Sequence, residues 1–170
     1  MRKKTLITMI LLPALLLFGC TGKGSTEETG VDAIKIDGIK AGSINEFYYT
    51  YENINYNACY QRYLFHVEDG KHMFFHDKRE RPGDYGWLEE EDSVRKGDFE
   101  LTDEEWQTFI TLIKDGRVVK RQEHTETGDS GPWMFIYAGK DTEGKEYYFQ
   151  PADQVLVFEE FCEKLAESGR

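Results

Sequence analysis

The stretch Ala58 to His76, "ACYQRYLFHVEDGKHMFFH", restricts the fold more than any other part of the chain. Residues 58–67 are rich in aromatic and β-branched types, and 72–76 carry the same signature. Glu68-Asp69-Gly70-Lys71 stands between them and supplies an Asp-Gly hairpin turn. Two antiparallel strands are therefore expected, with Cys59, Tyr63, Phe65 and Val67 on one face of the first. Residues 46–51, "EFYYTY", propose a further strand ahead of the hairpin. The charged residues 77–100, with Pro82 and three glycines, read as a long loop around Trp87 and Leu88.

A helix follows at 102–114. Thr102-Asp103-Glu104-Glu105 spells a capping box, in which the Thr102 hydroxyl and the Glu105 carboxylate satisfy each other's backbone amides. Leu101 and Trp106 hold the staple positions, and Trp106, Phe109, Ile110 and Ile113 form one apolar stripe. Asp115-Gly116 closes the helix. Residues 117–122 propose a short edge strand, and 133–138, "WMFIYA", a nearly continuous apolar one. "KDTEGK" then turns the chain into 146–150, and Phe158, Phe161, Cys162 and Leu165 repeat at helical spacing in a closing helix. Hairpins rather than crossovers link the strands. The expectation is a single α+β domain over 44–170, with one small antiparallel sheet and two helices packed on one face.

The start of the chain belongs to a different regime. Arg2-Lys3-Lys4 is a basic opening, and Leu6 to Phe18 is apolar except for Thr8 and Pro13. That run is shorter than the roughly 20 residues of a membrane span and matches a signal-peptide core. It ends in Leu17-Phe18-Gly19-Cys20. This pattern resembles the lipobox of bacterial lipoproteins, whose cysteine receives a diacylglyceryl group and becomes the first mature residue. The resemblance implies removal of residues 1–19, lipidation of Cys20, and a flexible tether over 20–43. It also implies a lipid anchor on the outer face of the cell membrane, or in a periplasmic leaflet if the organism has two membranes. Two or three acyl chains suffice for stable anchoring, since each buried methylene contributes about 0.8 kcal/mol. Residues 31–44 alternate weakly and fit either tether or a first short strand.

The domain is also similar to small lipoproteins of gut Firmicutes, a family without established activity. "ELTDEEW" at 100–106, "GDSGPW" at 128–133 and "TEGKEYYF" at 142–149 carry that similarity. It implies the same layout and no chemistry.

Charge excludes one class of partner. The whole chain has a net charge of −11, and losing residues 1–19 leaves 18 basic against 32 acidic side chains, or −14. Such a surface repels phosphates, so nucleic acid is not expected as a partner.

Candidate chemistry is sparse. Gly128-Asp129-Ser130-Gly131-Pro132 carries the letters found around the nucleophile of chymotrypsin-like proteases. A serine needs a base and an oxyanion hole to react. About 125 residues are too few for that two-barrel family, and the second glycine before the proline is missing. These residues are turn formers ahead of a strand. His66, His72, His76 and Asp77 suggest a transition-metal site only faintly, because no helical His pair or thiolate accompanies them. Glu89 to Asp92 reads as a solvated acidic run. No cofactor or metal is expected. With Cys20 lipidated, Cys59 and Cys162 remain. In an oxidising exterior they either pair, closing a loop worth up to ~4.7 kcal/mol, or stay buried as thiols.

Aromatic density is the remaining signal. Phe47, Tyr48, Tyr49, Tyr51, Tyr56, Tyr60 and Tyr63 fall within 17 residues. Half of them must point away from the core if the segments are strands. Tyr48, Tyr49, Tyr51 and Tyr60 are thus candidate contacts for an envelope protein or a glycan. The expected function is a non-catalytic binding or scaffold domain at the cell envelope. The competing class is a small envelope hydrolase or metal-dependent enzyme.

Overall fold

The computed structural model describes Gly30, residues 33–122 and residues 131–168. Among the described residues nine strands and two α-helices succeed one another: β1 (Lys35–Ile36), β2 (Ile39–Lys40), β3 (Ile44–Asn53), β4 (Ala58–Glu68), β5 (Lys71–Arg81), β6 (Ser93–Glu100), α1 (Asp103–Asp115), β7 (Val119–Lys120), β8 (Trp133–Ala138), β9 (Lys145–Tyr148) and α2 (Gln154–Glu167). Strands β3 to β9 form one antiparallel sheet in the order β6-β5-β4-β3-β8-β9-β7, and β1 pairs with β2 in a separate ribbon.

This overturns the expected fold class. The chain is mostly β, with a large seven-stranded sheet and a two-stranded one, not one small sheet. Two strand segments escaped the sequence. Strand β5 runs on to Arg81, and Ser93–Glu100 is a full edge strand where a loop was expected. Charge hid both. In the folded chain those charges pair: Arg79 with Asp77 at 2.7 Å, Lys78 with Glu80 at 3.0 Å, and Arg81 with Asp92. A charged edge strand also discourages pairing with other chains.

The β4–β5 hairpin forms where the Asp-Gly dipeptide places it. Asp69 and Gly70 have φ of 50° and 77°, the double positive φ that a two-residue turn of matching twist demands. In the resulting register Phe65 faces Phe74 and Tyr63 faces His76, while Phe47 of β3 lies against Phe65 from the other side. Every second residue therefore contributes a ring to one face. Helix α1 begins at its capping box, with the Glu105 amide donating to the Thr102 hydroxyl at 3.2 Å and the Thr102 amide to the Glu105 carboxylate at 2.8 Å. It lays Phe109 flat on Phe65, with ring centroids 3.9 Å apart. Helix α2 brings Phe158 against Phe47, Tyr49, Tyr63 and Phe65 on that same face.

The ribbon ahead of β3 joins this core, since Ile36 and Ala41 are buried in it. Of the two readings open for residues 31–44, tether or short strand, the paired strands β1 and β2 match the second. No helix among the described residues is long and apolar enough to cross a membrane.

Candidate functional site

The four tyrosines singled out by the sequence part company. Tyr49 is fully buried, and its hydroxyl donates to the Glu159 carboxylate of α2. Tyr51 lies on the same side and packs against the core. Tyr48 and Tyr60 point to the opposite face of the sheet from that on which Phe109 of α1 and Phe158 of α2 pack. Both are half-buried. Tyr48 meets Tyr137 of β8 at 5.7 Å between centroids. Tyr60 sits under two guanidinium groups, Arg79 at 4.8 Å and Arg62 at 5.7 Å from its ring centre.

That face is stiff near Tyr60. The Arg79 guanidinium donates twice to Asp77, at 3.0 and 2.7 Å, and once to the Leu88 carbonyl at 3.2 Å. Ser93 donates to the other Asp77 oxygen. Burial alone would raise the Asp77 pKa, but these donors outweigh it and hold the carboxyl below its usual range. Nearby Glu52 shifts the other way, because burial raises it more than Arg79 lowers it. Arg62 has no carboxylate partner among the described residues, and its buried Nε–H donates to no partner there either.

Beyond Tyr60 the sheet ends in two neighbouring loops. One joins β3 to β4 and the other joins β5 to β6. They are bound to each other through the backbone: the Gly86 amide donates to the Ile54 carbonyl at 2.8 Å, and the Ala58 amide to the Asp84 carbonyl at 3.3 Å. The Gly83 amide adds a bond to the Asn57 side chain at 3.0 Å. Gly86 has φ of 106°, a conformation an L side chain rarely adopts, so the glycine permits the turn that aims its neighbours outward.

The residues so aimed are apolar. Ile54, Tyr56, Tyr85 and Trp87 are 40%, 57%, 63% and 66% exposed. The Tyr56 and Tyr85 rings touch across the two loops, 5.5 Å apart. Large apolar side chains scattered singly over a surface are ordinary, whereas three rings and an isoleucine on one pair of interlocked loops form a patch. A cleft of about 260 Å³ opens beside it, lined by Asn57, Ala58, Cys59, Glu80 and Pro82. Sequence reasoning counted Tyr56 among the dense aromatics and set Trp87 in a long loop, but gave Ile54, Tyr85 and Trp87 no binding role. The available signal was Tyr85-Gly86-Trp87 itself, large rings in a segment with no strand or helix period.

The histidines do not converge. Residue pairing sets His66 opposite Met73 and His72 opposite Val67, so His66 and His72 occupy different faces. His66 lies 3.5 Å from Asp98, and His72 stacks on Trp106 at 3.9 Å. His76 is buried beneath α2, while Asp77 points to the opposite face. No three His, Cys, Asp or Glu side chains gather to hold a metal among the described residues. In the acidic run, Asp92 pairs with Arg81 and Glu90 with Lys96. Cys20 and Ser130 lie outside the described residues.

Cys59 and Cys162 are both free thiols, so the cross-link considered from the sequence is not formed. Cys162 is buried on α2, where burial pushes its pKa well up. Cys59 is half-buried at the start of β4, and burial raises it less. A thiol kept protonated reacts poorly. Labelling with a thiol reagent at neutral pH should therefore modify Cys59 slowly and Cys162 only after denaturation. Rapid native labelling of Cys162 would contradict its burial.

Comparison with known protein families, with characterised proteins and with solved structures finds no match to this chain.

Proposed function

We propose that this protein is a lipid-anchored, extracytoplasmic binding module that holds a protein partner at the cell envelope and performs no catalysis. The observation that carries the reading is the exposed aromatic tip, Ile54, Tyr56, Tyr85 and Trp87, locked in place by backbone bonds between two loops. Tyr and Trp dominate binding hot spots because they offer large rigid contact area at little entropic cost. A preorganised tip loses little further freedom on association. The half-buried Tyr48 and Tyr60 on the adjoining face extend the same surface. Anchoring rests on the lipobox-like Leu17-Phe18-Gly19-Cys20.

Two experiments address the two halves of this reading. Cys20→Ser should shift the protein from the membrane fraction to the soluble one; retention on the membrane would refute the lipid anchor. For binding, intact cells are treated with a short cross-linker and adducts of the wild type are compared with those of a Tyr85→Ala, Trp87→Ala variant. A discrete adduct of the wild type should disappear in the variant at unchanged thermal stability. Adducts identical in the two would reject the tip as the binding surface.

A further inference from the structure

The tip carries charge of one sign only. From Pro82 to Asp92 the loop holds Asp84, Glu89, Glu90, Glu91 and Asp92, and it contains no lysine or arginine. Two of the five are neutralised from the flanking strands, Asp92 by Arg81 and Glu90 by Lys96. Asp84 accepts the Tyr85 amide at 2.8 Å, and Glu89 and Asp92 cap the short helical turn between them. Those bonds are to uncharged amides, and the one guanidinium that also acts on Asp84 and Glu89 is Arg81, already paired with Asp92, so a single positive charge is shared among three carboxylates and the loop stays net negative. Glu91 is exposed. Exposed rings at Tyr56, Tyr85 and Trp87 are thus flanked by carboxylates on either side of the β5–β6 loop.

We infer that the tip docks a lysine- or arginine-rich segment of a partner protein, an inference that rests on the tip being the binding surface. The chemistry suits such side chains specifically. A lysine or arginine stem can lie along an aromatic ring while its charged head reaches a carboxylate. Arginine adds bidentate pairing to Asp or Glu. The excess of acid over the whole domain steers a cationic partner toward the surface and raises its association rate. The same charge opposes the other occupants. Anionic headgroups would meet the carboxylates of the tip, and a neutral glycan would leave them without compensation.

A random peptide library displayed on phage, selected against the immobilised full-length chain, tests this directly. Recovered peptides should be enriched in lysine and arginine. Synthetic versions should bind more weakly by roughly tenfold or more to Tyr85→Ala, Trp87→Ala. A Glu89→Gln, Glu91→Gln variant should show a slower association rate and a flatter dependence on salt. Recovery of uncharged or acidic peptides would overturn the inference. So would equal binding by the glutamine variant, or binding of phosphatidylglycerol vesicles through the tip. The cross-linking comparison separates the two levels. An adduct that depends on Tyr85 and Trp87, with peptides that lack basic residues, removes the cationic partner and leaves the binding surface. An adduct indifferent to those rings removes both.

Discussion

Phe65→Ala is expected to cost about 3–5 kcal/mol, a large share of the roughly 5–15 kcal/mol that a domain of this kind possesses. Phe65 is completely buried, and five rings surround it: Phe109 at 3.9 Å, Phe74 at 4.9 Å, Phe158 at 6.1 Å, Phe161 at 6.3 Å and Phe47 at 6.4 Å. It is the place where the central strands, α1 and α2 all meet. Truncation removes the transfer energy of the ring and leaves a cavity, because aromatic neighbours drawn from four elements cannot collapse together into the space. Phe65→Leu keeps most of the volume and should lose less than about 1.5 kcal/mol. Urea denaturation of both variants gives the comparison. A loss below about 1 kcal/mol for the alanine variant would mean that the two helices do not converge on this ring.

The parts of the fold legible in the sequence are those specified by neighbours along the chain. Asp69-Gly70 demands its turn, and Thr102 with Glu105 demands its helix start, whatever the rest of the molecule does. Strand β6 is different. Ser93–Glu100 has the composition of a solvated segment, and only its partners on β5 and α2 make it a strand. Arg95 is an example: it reaches Glu163, which stands 68 residues further on. The size of the sheet depended on such pairings, and so the expected sheet was too small.

The same division applies to the candidate surface. Alternation along β3 requires that Tyr48 and Tyr49 face opposite ways, but which of them meets the helices follows from the arrival of Phe158 and Glu159. Tyr56 and Tyr85 are 29 positions apart and touch only because β3, β4, β5 and β6 end at one edge of the molecule. His66 and His72 show the reverse. They are near in sequence, yet the parity of the hairpin register sends them to different faces. A site assembled from loop ends is a property of strand order, and strand order is non-local information.

Acid should lower the stability of this protein over two pH ranges, because three of its internal polar groups all favour the less protonated form. His76 lies beneath α2 with Nδ1 unsatisfied and Nε2 turned toward Gly97, where an added Cβ would stand 2.8 Å away. Burial depresses its pKa, Arg95 depresses it further, and Glu163, Asp77 and Asp98 offset only part of this. In the unfolded chain a histidine titrates near ~6.5. Below that pH the unfolded state takes up a proton that the native state resists, so stability falls as pH drops toward the native value. Asp77 and Glu163 follow. Burial raises each, but hydrogen bonds from Arg79 and Ser93 to Asp77, and from Arg95 and Tyr63 to Glu163, leave both below the usual carboxylate range. Their contribution is complete above the unfolded values near ~4 and disappears as pH falls through the native ones. All three slopes have the same sign. Urea midpoints measured from about pH 7 to about pH 3 should decline first in the histidine range and again in the carboxylate range. His76→Gln should flatten the first decline. Asp77→Ala should remove its part of the second and cost about 3 kcal/mol at neutral pH, since it strips Arg79 of its buried counter-charge. A stability that is constant or rises on acidification would show that these groups are not held in the charge states their surroundings impose.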